Sequence, residues 1–310
     1  MRIKKIATIV ALAALAIAPA ACGKEGTPEP STPGGGGAAP ASDACADAGI
    51  TYTASAPSLT GSPTYDRAKA AGKIVIGVKF DQPNLGYKDT QGKRCGFDIE
   101  IARYLASKLG FDESKIEYKE IASANRETEL KGGGIDYYVG TYSITDQRKN
   151  DVSFAGPYFI AGQDLLVRKD ESAITGKETL QGKKVCSATG STPIQRVRDE
   201  KLTDPANISE FKTYSECVSQ LLDGKTDAVT TDDAILKGYA AQSPDKLKVV
   251  GKPFSTEKYG IGLAKDDKAL RDFINDALDA SFKDGTWQKI YDATLGKAGS
   301  PATAPPLERY

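Results

Sequence analysis

The chain has 310 residues, with 41 Lys and Arg against 41 Asp and Glu, and hydrophobic residues make up 40% of it, which is enough for a globular core. The even charge balance argues against a nucleic-acid partner, which would require a basic excess or a basic stripe. The sequence contains no His, and this excludes Ser-His-Asp and Cys-His mechanisms as well as His-ligated zinc.

Residues 1–21 have the composition of an export signal. Basic residues at the start precede an uncharged apolar run over 6–18, which is too short to span a bilayer because a span takes about 20 residues. Small residues then precede Cys22, a pattern similar to the bacterial lipobox, although Pro19 stands where that pattern prefers Leu. We expect acylation of Cys22, which would anchor the protein to the outer face of the cell membrane. The alternative is cleavage at Ala18–Ala20, an A-x-A pattern that would release an unlipidated protein.

Residues 22–63 are predicted to be a flexible tether. The segment is rich in Pro and Gly, including the run Gly34–Gly37, and has few large apolar side chains. Burial of so little apolar surface cannot offset the entropy lost on ordering. The segment would therefore hold a folded body at a distance from its anchor.

Strand and helix patterns alternate from residue 73 onwards and form two series and a tail. The first series has strands over 74–78, 116–121 and 135–139 and helices over 97–106 and 125–131. The second has strands over 184–187, 208–212 and 228–231 and helices over 192–200, 215–222 and 232–241. The tail has a strand over 259–264 and helices over 267–282 and 286–295. Such alternation predicts an α/β fold with parallel-rich sheets, and there are enough strands for two.

Two extended segments, 159–167 and 249–254, are candidate crossings between two lobes. If the tail returns to the first sheet, the second lobe is an insertion and the two crossings form a hinge; two rigidly packed domains are the alternative. The predicted division is lobe 1 over 64–162 and 253–296, lobe 2 over 163–252, and a frayed C-terminal tail over 297–310.

Four cysteines follow Cys22, and an even number in an exported protein suggests disulfides, with three possible connectivities. We favour Cys186–Cys217, because Cys186 ends a predicted strand and Cys217 lies in the next helix but one. Cys45–Cys95 would then pin the end of the tether to the folded body. No C-x-x-C motif occurs, so zinc and thioredoxin chemistry are not expected.

Seven short motifs carry a resemblance to a known family. They are Gly96–Glu100, Gly140–Arg148, Phe154–Tyr158, Thr189–Thr192, Thr231–Ala234, Tyr259–Gly262 and Asp284–Trp287. Through their order, the region from about Tyr65 to Gly296 resembles the amino-acid-binding proteins of ABC importers, most of all the glutamate-binding lipoproteins of Gram-positive-type bacteria. The resemblance implies the type II periplasmic-binding-protein fold, in which two Rossmann-like lobes with mixed sheets are joined by a two-strand hinge.

A free amino acid carries a carboxylate and an ammonium, so its site needs a fixed cation and a fixed anion. Arg148 lies just past a predicted strand end, and its planar guanidinium suits a carboxylate. The resemblance implies that the α-carboxylate is held by Thr141, Ser143, Arg148, Ser191 and Thr192, and the α-ammonium by Asp232. From composition alone Asp232 would be a helix N-cap, and Asp233 is the neighbouring candidate for the ammonium.

The ligand's side chain is the harder question. Lys79 and Arg126 fall at positions where the acidic-amino-acid branch of the family carries basic residues that face a distal carboxylate. Tyr214 falls at a ligand-side position of the second lobe. The alternative for Lys79 and Arg126 is a solvated surface charge, the common fate of such residues.

The resemblance therefore implies an extracytoplasmic protein that captures glutamate or a related acidic amino acid and delivers it to an ABC permease, with no cofactor, metal or nucleic acid. Binding of glutamine or of polar amino acids in general, and amino-acid sensing for a membrane kinase, are the alternatives. An enzyme on the same fold would need a poised acid or base, for which Glu127 or Glu120 could be nominated. We expect no enzymatic activity.

Overall fold

A computed structural model describes residues 45–298 and 302–310. The export signal, the acylation candidate Cys22 and the first part of the tether lie outside the described residues, so the expectations about them stay predictions. Within the two described ranges, none of the helices has the length and apolar character needed to cross a membrane.

The described strands and helices alternate as the pattern predicts, although the elements over 63–71, 87–88, 94–95 and 146–149 were not among the predicted ones. The strands are β1 (Ile74–Val78), β2 (Tyr87–Lys88), β3 (Arg94–Cys95), β4 (Ile116–Glu120), β5 (Tyr137–Val139), β6 (Ser153–Ala161), β7 (Gln163–Arg168), β8 (Val185–Ala188), β9 (Ile208–Phe211), β10 (Ala228–Asp232), β11 (Leu247–Val250) and β12 (Glu257–Leu263). The helices are α1 (Pro63–Ala71), α2 (Phe97–Lys108), α3 (Arg126–Lys131), α4 (Asp146–Lys149), α5 (Thr192–Asp199), α6 (Tyr214–Leu222), α7 (Asp233–Gln242), α8 (Lys268–Lys283) and α9 (Thr286–Ala293).

The first five-stranded sheet has the order β4-β1-β5-β12-β6. Strand β1 pairs in parallel with β4 and β5, whereas β12 pairs antiparallel with β5 and β6, so the sheet is mixed. The sequence of β1, Ile-Val-Ile-Gly-Val, is the continuous apolar run that a strand covered on both faces requires. Strand β12 comes from the far end of the chain, so the chain returns to this sheet.

The second sheet has the order β11-β7-β10-β8-β9 and is also mixed. Strands β8, β9 and β10 are parallel, and β7 is antiparallel to β10 and β11. The chain passes from the first sheet to the second at Gly162 and returns between β11 and β12. A Cβ added at Gly162 would lie 2.6 Å from Pro253 Cβ, so the two crossings pass so close together that only glycine fits there. We call the first sheet with its helices lobe 1 and the second lobe 2.

An aromatic cluster fixes the start of the crossing from lobe 1. The ring of Phe97 in α2 contacts those of Tyr158, Trp287 and Tyr291, with centroids 5.7–6.1 Å apart. The Trp287 indole also donates a hydrogen bond of 2.8 Å to the Tyr158 carbonyl. This packing joins α2 and α9 to β6, the strand that leads out of lobe 1.

Both favoured disulfides are present, which confirms the predicted pairing. Cys186–Cys217 connects β8 to α6 within lobe 2, with Cα atoms 5.6 Å apart. Cys45–Cys95 connects the segment before α1 to β3, with Cα atoms 5.5 Å apart.

The expectation of a flexible tether fails for residues 45–62, which lie against lobe 1. The disulfide holds their first residue, and the Ser55 amide donates to the Ser107 carbonyl of α2 at 3.0 Å. Three side chains of the segment pack against the lobe 1 core: Ile50, Tyr52 and Leu59. The tether composition alone offers too little apolar surface to offset the conformational entropy lost on ordering. In residues 45–62 these three apolar side chains and the disulfide together offset that loss.

The prediction of a frayed tail over 297–310 is wrong for residues 302–310. The Glu308 amide donates to the Gly156 carbonyl at 2.9 Å, and the Phe154 amide donates to the Tyr310 hydroxyl at 2.7 Å. The Gly156 carbonyl and the Phe154 amide both belong to β6, which is an edge strand of its sheet. The tail is ordered because it satisfies backbone groups that an uncovered edge would leave to water.

Candidate functional site

The predicted site residues meet where the two lobes face each other. Lys79 directly follows β1, Thr141 follows β5, Ser191 follows β8 and Asp232 ends β10. The carboxyl ends of parallel strands share one edge of a sheet, which brings these side chains to a common boundary. The Ser143 and Thr192 hydroxyl oxygens lie 3.3 Å apart across it, so the lobes are in contact.

Two basic side chains of lobe 1 are buried at this boundary, and the alternative of solvated surface charges is therefore wrong. Lys79 is 4% exposed and Arg126 is 2% exposed. Lys79 Nζ donates to Ser123 Oγ at 2.7 Å, and Arg126 Nε donates to the Ser123 carbonyl at 3.0 Å. The Arg126 guanidinium also lies 4.1 Å from the centroid of the Tyr142 ring, which is a cation–π contact.

Arg148 is the third cation of this group. It lies in α4, one turn of helix whose N-cap, Thr145, accepts from the Arg148 amide at 3.2 Å. Its guanidinium donates to the carbonyls of Ser143 at 2.7 Å and Gly190 at 3.2 Å, and its Nε lies 3.3 Å from a carboxylate oxygen of Glu127. Burial and, second to it, the neighbouring Arg126 charge together lower the pKa of Arg148 to about 10.

Lobe 2 presents the start of α5 to these cations. Ser191 is the N-cap, and its Oγ accepts from the Ile194 amide at 3.3 Å. Thr192 Oγ1 donates to a Glu257 carboxylate oxygen at 3.1 Å. The first amides of a helix carry partial positive charge, so this turn is suited to an anion.

Asp232 is a buried carboxylate that occupies the N-cap position of α7, but its side chain makes no capping hydrogen bond. Its Oδ2 accepts from the Tyr259 hydroxyl at 2.7 Å, and its Oδ1 is buried without a hydrogen-bond partner among the described residues. Burial raises the pKa of Asp232 to about 7, and the Glu257 charge raises it as well. The alternative candidate Asp233 faces elsewhere, since it accepts from the Gly162 amide and pairs with Lys237.

Tyr214 lies at the start of α6, and burial raises the pKa of its hydroxyl to about 12. Its backbone amide donates to Asp81 Oδ2 at 2.9 Å. The same oxygen accepts from the Ser215 amide and from the Tyr239 hydroxyl, both at 3.2 Å. Asp81 belongs to lobe 1 and the three donors to lobe 2, so this carboxylate is a contact between the lobes.

Sequence reasoning missed several members of the site. Asp81 carried a weak signal, because it follows Lys79 by two residues after the same strand end. Tyr142 lies inside the motif Gly140–Arg148, and its ring contacts Arg126 and Arg148. It was missed because it lies between Thr141 and Ser143, and neighbouring residues of an extended segment point to opposite sides. Glu127 was considered only as an acid or base of an enzyme, whereas it pairs with Arg148.

Gln82 is a further buried polar group that the sequence did not single out. Its Oε1 accepts from Thr141 Oγ1 at 3.1 Å, and its Nε2 is buried without a hydrogen-bond partner among the described residues. Thr141 has a positive φ of 46°, unusual for a β-branched residue, and this local strain sets the direction of its hydroxyl and carbonyl.

A pocket of about 590 Å³ opens beside these groups and is lined from both lobes. Its lining includes Ser123, Glu127 and Arg148 of lobe 1 and Ser191 and Thr192 of lobe 2. Three cations, a helix start and a buried carboxylate around one boundary are complementary to a small molecule with two anionic groups and one ammonium. Nowhere in residues 45–298 and 302–310 do three His, Cys, Asp or Glu side chains cluster in a way that could hold a metal ion.

Two mixed α/β lobes that are joined by two close crossings, with charged groups of both lobes at their boundary, define a two-lobed binding protein for a small ligand. The chain belongs to the bacterial extracellular solute-binding proteins, family 3, whose sequence pattern matches residues 74–297. This confirms the family resemblance and the predicted fold class, the type II periplasmic-binding-protein fold.

Individual relatives agree with this assignment. The chain is 40% identical to the glutamate-binding protein GluB of Corynebacterium efficiens over 84% of this chain and 90% of that protein. It is 44% identical to a glutamine-binding protein of Geobacillus stearothermophilus over 67% of this chain and 79% of that protein. Among solved structures, an ancestral arginine-binding protein bound to glutamine is 38% identical, with a TM-score of 0.68 over 73% of this chain and 98% of that one.

Proposed function

We propose that this protein captures glutamate, or a related acidic amino acid, between its lobes and delivers it to an ABC permease. The observation that carries the proposal is the pair of buried basic side chains, Lys79 and Arg126, beside Arg148 on one lobe and opposite Asp232 on the other. Buried charges are costly unless they are paired, so this arrangement calls for an anionic ligand with more than one negative group. Similarity to the glutamate-binding protein of Corynebacterium efficiens supports the same ligand.

The α-groups of the ligand define one half of the proposed site. Arg148 binds the α-carboxylate, with the hydroxyls or amides of Thr141 and Ser143 and the helix start at Ser191–Thr192 completing the hydrogen bonds. The Arg148 contacts to the carbonyls of Ser143 and Gly190 keep its guanidinium at the boundary. Asp232 binds the α-ammonium through Oδ1, the oxygen that has no other partner among the described residues.

The other half of the proposed site selects the ligand's side chain. Lys79 and Arg126 hold the distal carboxylate, and Tyr214 closes the site from lobe 2. Glutamine is the second candidate ligand, because the chain is also 44% identical to a glutamine-binding protein. The carboxamide of glutamine is uncharged, so it would leave unpaired the charge of Arg126, and that of Lys79 where Lys79 is protonated.

The proposal is tested by isothermal titration of the chain with glutamate, aspartate and glutamine. We expect the double variant Lys79→Met, Arg126→Gln to lose glutamate affinity by at least about a hundredfold and glutamine affinity by much less, since charged groups lost from a buried site cost several kcal/mol. Lys73→Met is the matched control, because Lys73 lies before the same strand, β1, in an exposed ion pair with Glu117. Equal losses for glutamate and glutamine would contradict the acidic-ligand assignment.

The proposed location follows from the N-terminal sequence. Cys22 carries the lipid that anchors the protein to the outer face of the cell membrane, and the tether spans the distance to the folded body. In this role the protein binds and releases its ligand without chemical change, so we propose no enzymatic activity.

A further inference from the structure

Lys79 is held in a position where its charge has no anionic partner. Its Nζ donates to the neutral Ser123 hydroxyl, and no carboxylate lies within ion-pair distance of it among the described residues. A Cβ added at Gly86 would lie 2.8 Å from Lys79 Cβ, and one at Gly140 would lie 3.0 Å from Lys79 Cγ. These glycines belong to lobe 1, so the stem of Lys79 is enclosed by its own lobe.

Five charged residues, from both lobes, lie around Lys79. Arg126 of α3 and Arg148 of α4 oppose its charge, whereas Asp98 of α2 and Asp81 of the segment after β1 favour it. Asp98 Oδ1 accepts from the Tyr158 hydroxyl at 2.7 Å, whereas its Oδ2 is buried without a hydrogen-bond partner among the described residues, and burial raises the pKa of Asp98 to about 7. Asp81 accepts from the amides at the start of α6. From lobe 2, Lys212 lines the same small pocket as Lys79. Burial lowers the pKa of Lys79 to about 7, and the charge of Arg126 is the next largest cause.

We propose, on the basis of the proposed function, that Lys79 links the choice between acidic and neutral amino acids to the uptake of a proton. When glutamate binds, the Lys79 amine takes a proton from water or buffer acid through its nitrogen lone pair, and the resulting ammonium pairs with the distal carboxylate. When glutamine binds, Lys79 keeps the protonation state that it has in the ligand-free protein. Near pH 8 the amine is neutral and accepts a hydrogen bond from the carboxamide N–H, and near pH 6 the ammonium donates one to the carboxamide oxygen. No other bond changes in either case.

The direction of the pH dependence follows from this linkage. A bound carboxylate favours the charged form of Lys79, so glutamate binds more tightly to protein in which Lys79 is already protonated. The ratio of glutamate affinity to glutamine affinity is therefore highest below the pKa of Lys79 in the ligand-free protein and falls as the pH rises through it. The expected fall in this ratio is about tenfold between about pH 6 and about pH 8.

Asp232 also titrates in this range, and glutamine separates its effect from that of Lys79. The pKa of Asp232 is raised to about 7, and pairing with the α-ammonium of any amino acid favours its charged form, so ligand binding releases a proton there. Glutamate and glutamine share their α-groups. The difference between their proton counts therefore reports the distal end of the site, where Lys79 and Asp98 lie, and substitutions of Lys79 distinguish these two groups.

The test is isothermal titration of the whole chain with glutamate and with glutamine in two buffers of different ionisation enthalpy. Near pH 8 we expect glutamate to take up close to one proton more than glutamine, and near pH 6 we expect the difference to shrink to about a tenth of that. Equal proton counts for the two ligands near pH 8 would overturn the inference while leaving the proposed function in place. A failure to bind glutamate at all would overturn both.

Two substitutions assign the proton to Lys79. In Lys79→Arg the charge is permanent, so glutamate should take up no additional proton at whatever affinity the larger side chain leaves. In Lys79→Gln the charge is absent, so glutamate affinity should fall and the additional proton should again be missing. If either variant fails to fold, as judged by circular dichroism, the other carries the test. An additional proton that persists in a folded variant would place the titrating group elsewhere and overturn the inference.

Discussion

The two faces of the boundary between the lobes differ in what they contribute. Lobe 1 provides the basic side chains of Lys79 and Arg126, which are buried, and of Arg148, which is partly buried beside them. Lobe 2 provides the start of α5 and the carboxylate of Asp232. Like charges on one face raise the free energy of the ligand-free site and lower the pKa of Lys79, and an anionic ligand relieves that repulsion. The comparison indicates that lobe 1 determines which ligand is held and that lobe 2 adds contacts common to all amino acids.

The largest effect is expected for Arg148→Ala. This substitution removes the cation proposed to bind the α-carboxylate, so glutamate and glutamine should both lose affinity by at least about a hundredfold, since truncating a buried charge pair costs about 2–5 kcal/mol. Isothermal titration measures the loss, with a thermal melt to show that the fold remains intact. The neighbouring Lys149→Ala is the control, because Lys149 pairs with the fully exposed Asp146. Unchanged affinity in Arg148→Ala would remove Arg148 from the site.

Asp232→Asn tests the carboxylate of lobe 2 and should have opposite effects on binding and stability. Loss of the anion should weaken glutamate and glutamine alike, by about tenfold to a hundredfold. A carboxyl whose pKa is raised in the folded state stabilises the protein only while it is protonated, so its burial destabilises the ligand-free protein as the pH rises from about 4 to about 7.

The stability of the Asp232→Asn variant therefore depends on pH. Near pH 8 the ligand-free variant should melt at least about 2 °C above the natural protein, and near pH 4 the two should melt together. Asp233→Asn is the matched control, because that carboxylate pairs with Lys237 outside the site. A selective loss of glutamate alone in Asp232→Asn would contradict the division of roles between the lobes.

The regular elements could be predicted from the sequence where local signals agreed with the fold. The apolar run of β1 and the helical spacing of α2 gave both elements at their observed positions. Helix α1 was missed because its small and charged residues continued the composition of the tether, although Ser62 caps it and Pro63 begins it. Strands β6 and β7 were expected as one extended run, because nothing local showed that Gly162 separates two sheets.

Other features depend on partners far along the chain, which composition cannot supply. The tail over 302–310 is ordered by backbone groups of β6, about 150 residues earlier. The contact of Arg148 with the Gly190 carbonyl exists only because the lobes meet. The sequence thus identified Lys79, Arg126, Arg148 and Asp232 as boundary residues. It did not indicate that Asp81, Gln82 and Glu127 lie among them.

Asp81→Ala sharpens the comparison by removing a contact between the lobes without removing a proposed ligand contact. The Asp81 carboxylate accepts from two amides at the start of α6 and from Tyr239, so its loss should favour separation of the lobes. We expect glutamate and glutamine to lose affinity equally, by about threefold to tenfold, since hydrogen bonds to a charged group contribute about 1.5–3 kcal/mol and a solvated α6 start regains part of that.

The matched variant for this last test is Asp81→Asn, whose amide oxygen can still accept from the α6 amides and should restore most of the affinity. Small-angle scattering should show a larger radius of gyration for liganded Asp81→Ala than for the liganded natural protein, because the open form binds ligand less well and is populated at the expense of the closed one. A loss confined to glutamate would instead mean that Asp81 acts through the charge of Lys79, and the role of the lobe contact would then have to be assigned to Ser143 and Thr192.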